Sequence, residues 1–327
     1  MYFLINLYLE YLDERNGDHM KCEKIKLIEG RDDVTLTTYV LDDSSELNNG
    51  EKRPAVIVAP GGAYLCCSDR EAEPVALAFL RMGYNAFVLR YSVAYDGSKP
   101  YWETDFATQA INPDKMYPTQ MREIGLAFKC IADHADEWLI DTSKIAICGF
   151  SAGAHNCAMY STHWSKPVIA DYVGIDKELL KPAACILGYP LTDYIYMNNK
   201  VKESPEGAEF FAVSNRLTLG ENWDDEKLLL DMSPARLVDN DTPPTFIWST
   251  AADGLVPVEH SIIYANALAE KKIPFEIHIY ENGDHGMSLC DQSTANRESY
   301  DVLTDPCAKT WITHCEEWLY KRFKLYI

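Results

Sequence analysis

Long apolar runs are missing from this chain of 327 residues: nothing approaches the ~20 consecutive apolar positions of a membrane-spanning helix. Basic residues are scarce. Thirty Lys and Arg face 50 Asp and Glu, a formal charge of -20 at pH 7. A surface of that sign repels phosphate backbones and anionic head groups, which argues against nucleic acid or a membrane as partner. Small neutral molecules are unhindered by it. Cysteine is thin for the length, at 10 residues, and forms no Cys-x-x-Cys pair. Cys66 and Cys67 are adjacent, while Cys148 and Cys185 fall inside apolar runs. That is the usage of reduced thiols in a cytoplasmic protein, not of a disulfide framework. Internal repeats, low-complexity tracts and long linkers are absent as well, which leaves one body rather than an array.

The N-terminus, MYFLINLYLEYLDERNGDH, has no Lys or Arg ahead of its apolar part and no small-residue cleavage site, so it does not read as a secretory signal. Residues 1–19 are expected to be an amphipathic appendage that docks on the body or mediates a homo-oligomer, with Met20 a second possible start. The cytoplasm is the default location.

What is present is the composition of an ordinary globular enzyme, 47% hydrophobic and 24% charged. Apolar runs alternate with helix-period segments, the signature of strand–helix–strand units around a mostly parallel sheet. Glu23–Ile28 and Val34–Leu41 read as an antiparallel edge. Strands follow at Ala55–Ala59, Ala86–Leu89, Lys144–Cys148, Ala183–Leu187, Thr245–Ser249 and Phe275–Tyr280. Helices are predicted over Ala72–Met82, Thr119–Ala135, Ala152–His163, Pro257–Lys271 and Pro306–Phe323. Two stretches break the alternation: Tyr95–Tyr117, irregular and aromatic, and Thr192–Leu230, polar and aperiodic. Both are too long for plain loops and read as cap insertions over a site. The fold class is therefore α/β: a doubly wound, mostly parallel sheet flanked by helices, one domain over residues 20–327 with a small cap. Ligands in such sheets bind beyond the carboxyl ends of the strands.

The strongest local signal is Gly149-Phe150-Ser151-Ala152-Gly153. It follows the apolar run Ile145–Cys148 and opens a helix, the setting a nucleophile elbow requires. Flanking glycines allow the close backbone approach that lifts a serine hydroxyl above the sheet. A serine needs a base to remove its proton. Among the histidines, His278 sits in a strand, and His260, His134, His163 and His314 lie on or at the end of helices. His19 falls in the appendage. His155, one turn beyond Ser151, either touches the pocket or buttresses the elbow. His285 differs: Asn282-Gly283-Asp284-His285-Gly286 is a turn directly after the last strand, at the catalytic rim, with no packing reason for a histidine. The base needs an orienting carboxylate. Asp253, just past the preceding strand, takes that role, with Asp193 the rival and Asp284 a turn residue. Acyl transfer also needs donors aimed at an oxyanion. Pro60-Gly61-Gly62-Ala63-Tyr64 follows the strand Ala55–Ala59, and the N–H groups of Gly62, Ala63 and Ala152 are the candidates.

At this point the chain resembles the bacterial acetyl-esterase and feruloyl-esterase-like branch of the α/β-hydrolases, often labelled sugar hydrolases or acetylxylan-esterase-like proteins. The likeness spans roughly Lys24 to Leu319 and is closest at APGGAY (59–64), CGFSAGAH (148–155), YPLTD (189–193), TPPTFIWSTAADGLVPVEHS (242–261) and GDHGMS (283–288). It implies the α/β-hydrolase fold, a Ser151–His285–Asp253 triad and deacetylation of sugars or xylo-oligosaccharides. This sequence departs from the common pattern at Pro60, where many esterases have histidine, and at Ala63, which replaces a third glycine and narrows the backbone freedom there.

The expected reaction is ester hydrolysis through an acyl-enzyme on Ser151, needing no metal and no organic cofactor. Tyr64, Tyr101, Trp102, Tyr194, Phe211 and Trp223 are candidates to stack on a sugar face or line an acyl pocket, or simply to pack a cap onto the body. Competing readings are a general lipase-like carboxylesterase, a small-peptide hydrolase of the prolyl-oligopeptidase type and a catalytically silent binding module. Acyl-length preference, turnover of an aminoacyl anilide and fluorophosphonate labelling separate them.

Overall fold

The computed structural model describes residues 20–44, 46–203 and 207–324. The appendage expected at residues 1–19 lies outside the described residues. Nine described strands form one sheet: β1 (Met20–Lys21), β2 (Lys24–Lys26), β3 (Thr35–Leu41), β4 (Arg53–Ala59), β5 (Asn85–Arg90), β6 (Ile140–Phe150), β7 (Ala184–Gly188), β8 (Thr245–Thr250) and β9 (Phe275–Tyr280). Their order is β1-β3-β5-β4-β6-β7-β8-β9, with β2 also on β3. The pairings of β3 are antiparallel, as the expected edge required, and all pairings from β5 through β9 are parallel.

The described helices are α1 (Glu73–Arg81), α2 (Thr119–Asp133), α3 (Ala152–Ser161), α4 (Pro167–Val173), α5 (Tyr194–Glu203), α6 (Ala208–Leu219), α7 (Glu226–Asp231), α8 (Glu259–Glu270), α9 (Tyr300–Leu303) and α10 (Trp311–Tyr320). Every residue of β4 is buried, as a strand covered on both faces demands. Side chains alternate between two cores. Ile57, Phe87, Ile145, Ile147 and Ile247 pack with Ile124 and Phe128 of α2, Tyr160 of α3 and Leu268 of α8. Val56, Val58, Ala146, Cys148, Phe246 and Trp248 pack with Phe79 of α1 and Trp311 and Trp318 of α10. This is the doubly wound layering of an α/β-hydrolase.

Three expectations need correction. β6 begins at Ile140, because Ile140 pairs with Arg53 across a register shift that the polar stretch Asp141–Lys144 concealed. The last helix starts at Trp311 rather than Pro306, since the Asp305 carboxylate accepts the N–H groups of Cys307 and Ala308 and turns the chain first. Residues 192–230 are not aperiodic: they hold α5, α6 and α7. The helical period was masked because the buried positions of α6 include Ser214, Asn215 and Thr218, so its inner face does not read as apolar.

Candidate active site

Parallel strands that end in register bring separate loops to one rim. Phe150 at the end of β6 pairs with Gly188, which pairs with Trp248, and Thr250 of β8 pairs with Tyr280 of β9. The residues just beyond these ends are Ser151, Asp253 and His285.

Ser151 holds φ 51° and ψ -119°, a conformation that costs a side chain energy and that surrounding structure must enforce. Its N–H donates to the Gly188 carbonyl at 3.0 Å. A Cβ on Gly153 would stand 2.1 Å from the Ala59 carbonyl oxygen, and one on Gly149 would stand 2.3 Å from that of Gly153. Only glycine lets α3 lie this close beneath β4, so the two flanking glycines set the elbow.

The Ser151 hydroxyl donates to His285 Nε2 at 2.8 Å, and His285 Nδ1 donates to Asp253 Oδ2 at 2.7 Å. The other Asp253 oxygen accepts the N–H groups of Leu255 and Val256, both at 2.9 Å, which fixes the carboxylate. The Asp253 side chain is 1% exposed and the imidazole 12%. Asp193 is engaged elsewhere: Oδ2 accepts from Arg236 Nε at 2.8 Å and Oδ1 caps Tyr196 N–H at 2.9 Å. Asp284 accepts the N–H of His285, as a turn residue does.

His155 is not poised as a base. Its Nε2 faces the Met232 carbonyl at 2.9 Å, so that nitrogen carries the hydrogen, and Nδ1 accepts from the Tyr64 hydroxyl at 2.6 Å. Burial pushes its pKa down to about 4, and the neutral ring ties α3 to the glycine loop and to the segment after α7.

In the glycine loop the N–H groups of Gly62 and Ala63, and that of Ala152 at the start of α3, have no hydrogen-bond partner among the described residues. The Gly62 carbonyl accepts from Leu65 and Cys66, which points the trans-related Ala63 N–H the opposite way. Ala63 and Tyr64 are both left-handed, at φ 55° and 58°, although neither is glycine. Two anchors hold them. Ser214 Oγ on α6 donates to the Ala63 carbonyl at 2.6 Å, and buried Glu71 accepts Gly61 N–H at 2.8 Å. The other Glu71 oxygen accepts the Tyr189 hydroxyl at 2.6 Å, which itself accepts Ser288 N–H at 3.0 Å. The glycine loop and the His285 loop therefore share one buttress. Glu71, Tyr189, Ser214 and Ser288 were not picked out by sequence reasoning. Only Tyr189 and Ser288 carried a signal, as the first residue of YPLTD and the last of GDHGMS.

Two hollows meet at Ser151. A narrow chamber of about 40 Å³ is lined by Ala63, Tyr64, Ala152, Tyr194, Phe211 and Asn215, among others. A wider cleft of about 290 Å³ contains His285, Gly62, Arg70 and Tyr101. A second small chamber of about 20 Å³ adjoins the first and is lined in part by Phe211, Asn215 and Trp223. Of the aromatic candidates, Tyr64, Tyr194 and Phe211 thus reach the narrow chamber, Tyr101 the cleft and Trp223 only the second chamber. Trp102 is 83% exposed and lines none of the three: within the turn Tyr101–Glu103 it is Tyr101 that reaches the cleft, while the Trp102 side chain stands in solvent.

Comparison with known proteins adds the lineage. The family model BD-FAE matches residues 41–268, more than half of the chain, and takes in strands β4 through β8. The chain belongs to the BD-FAE family. This BD-FAE chain is 34% identical over 249 residues to endo-1,4-beta-xylanase B of Butyrivibrio fibrisolvens, covering 75% of the chain and 34% of that protein. It is 28% identical over 238 residues to the acetylxylan esterase of Xylanibacter ruminicola, covering 72% of the chain and 41% of that protein. It therefore spans well under half the length of either. Among solved structures, the acetyl ester-xyloside bifunctional hydrolase of Caldicellulosiruptor lactoaceticus superposes with a TM-score of 0.70 at 27% identity, covering 95% of this chain and 100% of that one. The expected α/β-hydrolase branch stands. None of the described helices is long and apolar enough to cross a membrane.

Proposed function

We propose that this BD-FAE protein is a serine esterase that removes a short acyl group, acetyl above all, from a sugar or xylo-oligosaccharide hydroxyl. The observation that carries the reading is the hydrogen-bonded chain from Ser151 through His285 to Asp253, opening onto a narrow chamber on one side and a wider cleft on the other. The names of the acetylxylan esterase and the acetyl ester-xyloside hydrolase among its relatives support the substrate class.

Ser151 Oγ attacks the ester carbonyl carbon while its proton passes to His285 Nε2. The oxyanion is received by the N–H groups of Ala63 and Ala152, with Gly62 beside them, and Asp253 stabilises the imidazolium. The C–O bond to the alcohol then breaks, and His285 returns the proton to the departing oxygen. Water attacks the acyl-enzyme with the same base, releasing the carboxylic acid and restoring Ser151. The leaving oxygen must lie within reach of His285, so the alcohol occupies the cleft that contains His285, with Tyr101 at its wall. The acyl group occupies the narrow chamber, whose walls do not include His285. A single water needs roughly 10–15 Å³ measured in the same way, so about 40 Å³ accepts a group of about three water-sized units. A longer chain leaves methylenes outside, and the ~0.8 kcal/mol that each would contribute on burial is not realised.

The ten cysteines are all unbridged, which suits a reducing compartment, and we read the protein as cytoplasmic. Measuring kcat/KM across acetyl, butyryl and octanoyl p-nitrophenyl esters, and on acetylated xylo-oligosaccharides, tests the function. The highest value is expected for acetyl, with a fall at butyryl and a further fall at octanoyl. A steady rise with chain length replaces this reading with a lipase-like carboxylesterase.

A further inference from the structure

The narrow chamber is less apolar than a site for plain alkyl acyl groups needs to be. Its polar side chains can be accounted for one by one. Ser151 donates to His285, Tyr64 donates to His155, both His155 nitrogens are engaged, and Ser214 donates to Ala63. Two groups are left over. The Asn215 amide and the Tyr194 hydroxyl have no hydrogen-bond partner among the described residues, yet Asn215 is 8% exposed and Tyr194 7%. Both line the narrow chamber and also the smaller chamber behind it. Burial pushes the Tyr194 phenol up, so it stays protonated and able to donate. The amide supplies both a donor and an acceptor.

Asn215 and Tyr194 both line the same two chambers, and polar side chains at a cavity wall with no protein partner are ready contacts for a polar atom of a ligand. Resting on the esterase reading above, in which this chamber receives the acyl group, we propose that Asn215 and Tyr194 form a polar acyl subsite. It selects short acyl groups with a hydroxyl on the terminal carbon, the hydroxyacetyl class, over alkyl acyl groups of the same size. Acetyl leaves the pair to water and is accepted. Propionyl pushes a methyl against both groups and is disfavoured. Hydroxyacetyl has the same number of heavy atoms as propionyl and places its hydroxyl where donor and acceptor are both on offer. A site that hydrogen-bonds a substrate hydroxyl rejects the analogue lacking it far more strongly than an apolar pocket rejects a methylene.

Phenyl hydroxyacetate, phenyl propionate and phenyl acetate provide the test, with each kcat/KM divided by the ester's own rate of alkaline hydrolysis to remove intrinsic reactivity. The wild-type protein is expected to favour hydroxyacetyl over propionyl by about tenfold or more. Tyr194→Phe, which deletes only the hydroxyl, and Asn215→Leu, of similar volume, should each pull that ratio toward one. A wild-type ratio at or below one overturns the proposal without any variant, and so does a ratio that survives both substitutions. Failure to turn over any of the three esters counts against the esterase reading itself. Good turnover of phenyl acetate with no hydroxyacetyl preference counts against the subsite alone.

Discussion

Ser214→Ala removes the hydroxyl that α6 lends to the glycine loop. That loop is strained: Ala63 and Tyr64 sit at φ 55° and 58°, and each non-glycine residue there costs roughly 1–2 kcal/mol. Ser214 Oγ, 2.6 Å from the Ala63 carbonyl, is one of the bonds that offset this cost. One lost hydrogen bond is worth about 0.5–1.5 kcal/mol net, and about 1.4 kcal/mol is tenfold in an equilibrium. The ratio of aligned to misaligned loop, and with it the Ala63 N–H proposed to meet the oxyanion, should therefore fall by roughly 2- to 13-fold. That is well short of the ~10²–10³ expected when a donor itself is removed, because Ser214 acts only through the loop. Steady-state kinetics on p-nitrophenyl acetate should show kcat lower by up to that factor with KM little changed, since the Ser214 hydroxyl is spent on the Ala63 carbonyl and lends no hydrogen bond to the substrate. The melting temperature should drop by about 2–4 °C at most. Ser214→Thr, which keeps the hydroxyl, should recover most of kcat. A raised KM at unchanged kcat would refute the reasoning and make Ser214 a plain cap-packing residue; so would a threonine variant as slow as alanine.

Two further outcomes are expected. Ser151→Ala should lose at least about 10³-fold in kcat and all fluorophosphonate labelling while melting like wild type, and retained labelling would place the nucleophile elsewhere. Glu123 on α2 is buried, accepts hydrogen bonds from Ser92 N–H and Oγ, and has its pKa pushed by burial from 4.5 to about 7. A carboxyl with a raised folded-state pKa contributes full stability below pH 4.5 and loses it as pH climbs to about 7. Glu123→Gln, neutral throughout, should gain relative to wild type by up to roughly 3 kcal/mol between those limits. Differential scanning fluorimetry from pH 4 to 8 reads this directly, and a pH-independent difference between the two proteins would show that Glu123 does not titrate in that window.

By itself the sequence determined what is local or periodic. The strand–serine–helix elbow is written in five residues because glycine alone allows the approach of α3 to β4. Asp253 and His285 were legible because parallel strands must end on one rim, so a short polar loop after each late strand is already near the serine. The short apolar runs of β4 and β8 likewise marked strands covered on both faces, while which side chain meets which core was left to the fold. The tertiary structure alone decided how the loops are supported and which side chains line the chambers. The bond from Glu71 to Tyr189 joins positions 118 apart, that from Ser214 to Ala63 positions 151 apart and that from Tyr64 to His155 positions 91 apart. No spacing or hydrophobic period marks such pairs, since each partner is chosen by where the whole chain folds and not by its neighbours. The same holds for Asn215 and Tyr194: only packing α5 and α6 over Ser151 leaves their polar groups unpartnered within a chamber beside it. Those polar inner positions also hid α6 from its own sequence.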